Sequence, residues 1–237
     1  MGNSYFQFKQ FRVAQDRCAM KVTTDACIAG AWMPVPTHAA QILDIGAGTG
    51  LLSLMLAQRL PEAHIVAIEL DELAAQQARE NFQKSPWSER LELVEGDARH
   101  TPFTGKFDFV VVNPPFFNNS LLSGNKVKDQ SRHTLTLTQT DLMDIFERAV
   151  EPSGHCAVLL PLPESETFEA MAIHTGWHVQ SQLWVKHRPR TKPNRIVTVL
   201  GRTRPEQKTK VELEIKEEAG HDSPLFKELL SPFYLAF

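Results

Sequence analysis

The segment FDFVVVNPPFF, residues 107–117, places Asn113, Pro114, Pro115 and Phe116 directly after a run of apolar, mostly β-branched residues. A strand ending in this way offers an amide oxygen, a main-chain carbonyl held by rigid proline backbone, and an aromatic ring. Two acceptors can hold both N–H groups of a planar exocyclic amine and direct its lone pair at an electrophile, while the ring stacks on the planar group. The alternative is a strand that merely ends at Asn-Pro-Pro, with the phenylalanines packed under a loop. The first interpretation predicts an amine-substitution site in which these four residues are catalytic.

A glycine-rich turn lies upstream in LDIGAGTG, where Asp44, Gly46, Gly48 and Gly50 follow a short apolar run and precede a helical pattern. Glycines there permit a sharp turn and let a ligand approach the main chain. The dinucleotide fingerprint would require glycine at Leu51, so a nicotinamide cofactor is disfavoured and a cofactor without a pyrophosphate is favoured. An ordinary tight turn is the alternative.

Acidic residues also end the next two predicted strands, at Glu69 and Asp97. Glu69 can accept hydrogen bonds from both hydroxyls of a ribose, and Asp97 can accept from an adenine amino group. Their neighbours Leu70 and Ala98 are predicted to contact the same cofactor, and so is Asn113 at the end of a later strand. Helix capping is the alternative for either acid, but the carboxyl ends of parallel strands line one crevice. The order of these motifs therefore predicts a nucleoside-containing cofactor.

The elements that position these residues follow a strand–helix alternation from residue 41 onward, which predicts an α/β fold with a mainly parallel sheet. Residues 177–187 and 195–203 alternate in polarity around a basic, proline-containing turn, so they predict a hairpin with one antiparallel edge strand. Residues 210–217 are a possible further strand. The polar stretch 117–134 is long enough to suggest a lid.

Composition narrows the classes of protein. The 237 residues carry a net charge of −3 and three widely spaced cysteines, which predicts no disulfide framework and no metal site. The sequence shows neither a secretion signal nor a membrane-spanning run. A cytoplasmic protein with no membrane association is therefore expected.

The order of strands and motifs over residues 41–202 resembles the class I S-adenosylmethionine methyltransferases. The resemblance implies a Rossmann-like fold with a seven-stranded sheet whose last strand is antiparallel, and helices on both faces. It also implies that S-adenosyl-L-methionine is the cofactor, with Asp44 beside its amino-acid portion. N-P-P-[FY] at residues 113–116 is similar to the motif of the branch that methylates amino groups.

The flanking segments FQFKQFRVAQDRCAMKVTTDACIAGAW, SRHTLTL and FYLAF closely resemble the bacterial tRNA(Val) adenine-N6 methyltransferase family. This resemblance spans nearly the whole chain. It implies that residues 1–40 fold over the cofactor and RNA site of the methyltransferase domain, residues 41–237, in a single-domain protein. It also implies cofactor contacts from Lys21, Thr23 and Asp25, although the latter two could simply cap a helix.

The charge distribution agrees with an RNA partner. Between residues 183 and 204 there are seven Lys or Arg residues and no Asp or Glu, despite the acidic total. Such clusters neutralise phosphates, although a basic turn is more often just solvated. The candidate RNA contacts are Lys9, Arg12, Arg17, Lys126, Arg132, His133, Lys186, Arg188, Arg190, Lys192 and Arg195.

The favoured hypothesis is an enzyme that methylates N6 of the adenosine next to the anticodon of tRNA(Val). The alternatives are a guanine-N2 methyltransferase of ribosomal RNA and an RNA-binding protein with a relict cofactor pocket; methylation of a protein glutamine ranks behind them. tRNA is the expected partner, and no obligate protein partner is implied.

Overall fold

The apolar runs of the alternating region form one large β-sheet, and its central strands Gln41–Ile45 and Phe107–Val112 are buried at all but one residue each. The structure, a computed structural model, describes residues 3–114 and 137–237. Two short strands, β1 (Tyr5–Gln7) and β2 (Arg12–Ala14), pair separately as an antiparallel ribbon. The strands of the main sheet are β3 (Gln41–Ile45), β4 (His64–Glu69), β5 (Leu91–Glu95), β6 (Phe107–Val112), β7 (Val150–Leu160), β8 (His178–Lys186), β9 (Arg195–Gly201) and β10 (Thr209–Glu214).

Helices connect these strands and cover both faces of the sheet. They are α1 (Thr24–Trp32), α2 (Leu51–Arg59), α3 (Glu72–Gln83), α4 (Gln139–Ala149), α5 (Leu162–His174) and α6 (Pro224–Leu230). Alternate strand residues point to opposite sides, so that Phe109 and Val111 belong to one core cluster and Val110 and Val112 to the other. The first cluster includes α1, α2 and α6, whereas the second includes α4 and α5. The predicted α/β class with helices on both faces is confirmed.

The sheet order is β10-β8-β9-β7-β6-β3-β4-β5, which gives eight strands rather than the expected seven. The eighth, β10, pairs in parallel with β8 and buries Leu213. β9 is antiparallel to both β7 and β8 and lies between them, so the prediction that the antiparallel strand forms the edge was wrong. The chain passes from β7 through α5 to β8, which lies two positions away from β7 in the sheet. The hairpin after β8 then places β9 between these two strands.

Residues before β3 share the first core cluster, because Phe8, Phe11 and Val13 pack there. Side chains of α3 hold this segment in place. The Asn81 amide exchanges hydrogen bonds with the main chain of Ala14, at 2.9 and 3.0 Å, and donates to the Thr49 carbonyl at 2.9 Å. The glycine-rich turn and the N-terminal segment are therefore tied to one helix.

Within the described part of the chain, no helix has the length and apolarity needed to cross a membrane. The three cysteines are buried, free thiols.

Candidate active site

A cavity of about 570 Å³ opens at the carboxyl ends of β3, β4, β5 and β6. One wall comes from the loops after these strands, and another from residues 19–21, between β2 and α1. The predicted site residues that line it are Lys21, Asp44, Gly46, Glu69, Leu70, Asp97, Ala98 and Asn113. Residues from four strand ends and the N-terminal segment thus meet in one space, as the motif order predicts.

The glycines of the turn after β3 serve two different purposes. Gly46, at φ +68°, and Gly48, at φ +55°, have no heavy atom within 4 Å of the position of a Cβ. Gly46 lines the cavity, so a ligand can approach the main chain there, whereas Gly48 does not line the cavity. Gly50, at φ +78°, is tightly packed, since a Cβ there would lie 2.4 Å from Phe82 Cε1. Its role in the structure is the contact between α2 and α3, which differs from the cofactor contact predicted for it.

Asp44 combines full burial with an unused acceptor. The residue is 1 % exposed, and its Oδ2 accepts from Ser53 N at 3.1 Å and Ser53 Oγ at 2.7 Å. Asp44 thereby caps the N-terminus of α2, although it lies in β3. The N-cap residue of this helix is a glycine, which has no side chain that could cap it. Oδ1 is buried and has no hydrogen-bond partner among the described residues. Burial is the main cause that raises the pKa of Asp44 to about 6, and the negative charge of Glu69 also raises it. The hydrogen bonds from Ser53 act in the opposite direction and lower this pKa.

Glu69 is held by main-chain donors on both sides. Gly48 N donates to Oε2 at 2.7 Å, and Asp71 N donates to Oε1 at 2.8 Å. A carboxylate has about four acceptor positions, so two remain. The side chain is fixed between the glycine-rich turn and the start of α3, where Asp71 caps the helix.

Asp97 is fixed by a residue that the sequence did not single out. The guanidinium of Arg99 contacts both carboxylate oxygens, with Nη2 to Oδ2 at 2.6 Å and Nε to each oxygen at 3.0 Å. Arg99 N also donates to Oδ1 at 2.9 Å. The hydrogen bond from Arg99 is the main cause that lowers the pKa of Asp97, so the carboxylate stays ionised.

Asn113 lies at the end of β6, is partly exposed and lines the same cavity as Gly46, Glu69 and Asp97. Its Nδ2 is 4.0 Å from Met20 Sδ, a weak contact with the N-terminal segment. Pro114 is buried beside it. Pro115, Phe116 and the predicted lid at 117–134 lie outside the described residues.

Thr23 and Asp25 do not line the cavity. Thr23 caps α1, because its side chain accepts from Ala26 N at 3.2 Å. Asp25 pairs with Arg195, at 3.3 Å between Oδ2 and Nε, and burial raises its pKa. The capping alternative thus describes Thr23, whereas Asp25 links α1 to β9.

Sequence reasoning missed several cavity residues, among them Ala19, Met20, Thr49, Asp71 and Leu137. Met20 and Ala19 precede the first helix without a pattern of their own. Asp71 caps α3 and also lines the cavity. Its position, two residues after a strand-ending acid, was the one signal that could have suggested a second role.

The predicted RNA-binding cations fall into groups. Several are engaged within the protein: Arg17 pairs with Glu80, Lys186 with Glu212, Arg190 with Glu218 and Arg195 with Asp25, and Lys9 Nζ donates to the carbonyls of Ser231 and Phe237. Arg12 lies over the Tyr5 ring at 3.5 Å.

Arg188 and Lys192 lie in the turn between β8 and β9, and both are exposed. Lys126, Arg132 and His133 lie outside the described residues. The cations that already pair with a carboxylate have less charge to offer a phosphate. Arg188 and Lys192 are therefore the stronger candidates for RNA contacts.

Comparison with known proteins gives consistent results. The family model described as "Methyltransferase small domain" matches residues 31–137. The tRNA1(Val) (adenine(37)-N6)-methyltransferase of Dyadobacter fermentans is 41% identical over 239 residues, covering 99% of each chain. The protein of that name from Serratia proteamaculans is 41% identical, covering 98% of this chain and 90% of its own.

Among solved structures, protein Atu636 from Agrobacterium tumefaciens, described as a predicted O-methyltransferase, has a TM-score of 0.65 at 16% identity. The match covers 88% of this chain and 95% of that one and shows a shared fold. The end-to-end identity to the curated relatives decides the family. The chain belongs to the tRNA1(Val) (adenine(37)-N6)-methyltransferase family.

Proposed function

We propose that this methyltransferase transfers a methyl group from S-adenosyl-L-methionine to N6 of adenosine 37 in tRNA1(Val), the activity named for its relatives. The observation that carries the proposal is the placement of Asn113 in the same cavity as Asp44, Glu69 and Asp97. An amide that can hold an amine thus opens into a pocket whose acids suit a nucleoside cofactor.

The cavity fits S-adenosyl-L-methionine on three observations. The unpartnered Oδ1 of Asp44 suits the cofactor's amino group, and the two remaining acceptor positions of Glu69 suit the ribose hydroxyls. The open space beside Gly46, which lines the cavity, admits a ligand against the main chain. When bound, the cofactor supplies a methyl group on a positively charged sulfur. Lys21, Leu70 and Ala98 are further proposed contacts.

Asn113 acts on the amine. Delocalisation into the purine ring makes the N6 lone pair a poor nucleophile, so the protein must turn that lone pair toward the methyl carbon. Asn113 Oδ1 accepts one N–H, and the Pro114 carbonyl accepts the other. The bound cofactor would supply the methyl group for the new N–C bond and would leave as S-adenosylhomocysteine, and the proton that N6 loses would pass to water. Orientation and proximity supply most of the acceleration, because this displacement needs no strong base.

The RNA approaches over the basic turn in this proposal. Arg188 and Lys192 contact phosphates, which steers the anticodon loop toward the cavity mouth. The target base leaves its stack to reach Asn113, which a single-stranded loop permits at modest cost. Phe116, proposed from the sequence to stack on this base, is outside the described residues.

The test uses purified protein, S-adenosyl-L-methionine and a transcript of tRNA(Val), with digestion to nucleosides and mass spectrometry. We expect N6-methyladenosine with the natural transcript and none when adenosine 37 is replaced by guanosine. N2-methylguanosine in ribosomal RNA, with unmodified tRNA, would instead support the guanine-N2 alternative. Unmethylated RNA that is nevertheless bound and remodelled would support the RNA-binding alternative.

A further inference from the structure

The hydrogen bonds from Arg99 occupy most of the acceptor positions of the Asp97 carboxylate. Three N–H groups of Arg99 reach the carboxylate: the main-chain N to Oδ1 at 2.9 Å, Nη2 to Oδ2 at 2.6 Å, and Nε shared between the oxygens at 3.0 Å. A carboxylate has about four acceptor positions. One position therefore remains, on a residue that lines the cavity.

The loop that carries both residues is pinned independently of their side chains. Thr101 N and Oγ1 each donate to the Asp97 carbonyl at 2.8 Å. Arg148 Nη2 donates to the carbonyls of Ala98 and Arg99, at 3.1 and 3.0 Å. A change confined to the Arg99 side chain thus leaves these backbone hydrogen bonds in place while it removes the side-chain contacts that hold the Asp97 carboxylate.

We propose that Arg99 is a positioning residue that sets the base selectivity of the cofactor site, by turning the one free acceptor position of Asp97 toward the amino group of adenine. The inference rests on the cofactor of the proposed function. A carboxylate fixed in this way accepts from an amino group and repels a carbonyl oxygen. The site then distinguishes adenine from hypoxanthine, which carries an oxygen at the same position.

A guanidinium fork holds both carboxylate oxygens in one plane, which a single ammonium does not do. The positive charge alone is therefore not the proposed function of Arg99. The orientation of the carboxylate is the property to test, and Arg99→Lys separates it from charge.

The experiment compares calorimetric affinities for S-adenosylhomocysteine and S-inosylhomocysteine in the full chain. We expect the wild type to prefer the adenosyl compound by about tenfold or more, as a hydrogen bond to a charged group implies. In Arg99→Gln and Arg99→Lys the ratio should fall to about threefold or less. Arg79→Gln is the matched control, because it breaks the Arg79–Glu95 pair and leaves Asp97 alone; its ratio should stay at the wild-type value.

The second variant, Asp97→Asn, places an amide that can donate to the hypoxanthine oxygen, so its ratio should also fall or reverse. It decides the matter if the Arg99 variants do not fold, as thermal unfolding would show. A wild-type ratio in either Arg99 variant, or in Asp97→Asn, overturns the proposal. Equal wild-type affinity for both compounds also overturns it but leaves the methyl transfer intact, whereas failure of the wild type to bind S-adenosylhomocysteine counts against the proposed function itself.

Discussion

The two sides of the cavity differ in how firmly their polar groups are held. On the cofactor side, Glu69 is fixed by two main-chain donors, Asp97 by Arg99, and Asp44 by Ser53. On the substrate side, the Asn113 side chain has one weak polar contact within residues 3–114 and 137–237, 4.0 Å to Met20. A small cofactor with a constant shape can be met by groups fixed in advance. An amine carried on a large RNA arrives with its own constraints, so the residue that receives it is left less constrained.

The largest expected effect comes from removing the substrate-side amide. Asn113→Ala should lower kcat by about a hundredfold or more, because the amine loses its orientation. The dissociation constant of S-adenosylhomocysteine should change less than about twofold, since fixed groups elsewhere bind it. Single-turnover methylation and calorimetry measure the two quantities. Asn113→Asp keeps an acceptor oxygen and should retain more activity than the alanine variant; equal loss in both would argue against the acceptor role.

The next largest effect concerns the packing of the glycine-rich turn on the cofactor side of the cavity. Gly50→Ala forces a left-handed backbone on alanine and places its Cβ 2.4 Å from Phe82 Cε1. It should lower the free energy of unfolding by about 2–4 kcal/mol, combining backbone strain with overpacking. Gly48→Ala has space for its Cβ, so it should lose only about 1–2 kcal/mol but bind the cofactor less well. Urea unfolding compares them, and equal destabilisation would contradict the division of roles between the two glycines.

A smaller effect concerns the charge of Asp44. Burial raises its pKa to about 6 in the ligand-free protein. A cationic amino group beside Oδ1 favours the ionised carboxylate and lowers that pKa, so binding releases a proton at low pH. Affinity for S-adenosylhomocysteine should be constant well above the free pKa and fall as the pH drops through it, by about tenfold per pH unit at most.

Calorimetry across this range gives the slope. Asp44→Asn cannot titrate and should show a flatter profile with weaker binding at neutral pH. An unchanged slope in that variant would assign the proton to another group.

The smallest effect tests the RNA surface. Arg188→Ala combined with Lys192→Ala should raise KM for tRNA a few-fold and reduce the salt dependence of binding by about two phosphate contacts. Lys186→Ala with Arg190→Ala is the matched control, because Glu212 and Glu218 already pair with these cations. Filter binding at several salt concentrations measures both slopes. A steeper loss in the control would reverse the proposed ranking of the cations.

The sequence was sufficient to predict the α/β class and the meeting of Asp44, Glu69, Asp97 and Asn113, because parallel strands end at one edge. It was insufficient wherever a residue depends on a distant partner. Gly50 has the same motif position as any cofactor glycine, and only the packing of Phe82 distinguishes it. The parallel pairing of β10 with β8 was likewise invisible, since short strands do not specify their neighbours.

The charge pattern of the sequence shows where basic residues cluster, but it does not show which of them are free to contact RNA. The basic run between β8 and β9 was evident, yet the carboxylates that engage it come from α1, β10 and the segment after β10. Arg99 was overlooked because an arginine two residues after an acid has no distinctive spacing.

The Asn81 amide, which joins Ala14 to Thr49, limits how the protein can be divided. The family match begins at residue 31, but a fragment cut there would leave a 3 % exposed amide without its Ala14 partners. A chimera between two relatives would therefore have to transplant the β2 segment together with α3. The two elements depend on each other through these hydrogen bonds, although 67 residues separate Ala14 from Asn81 along the chain.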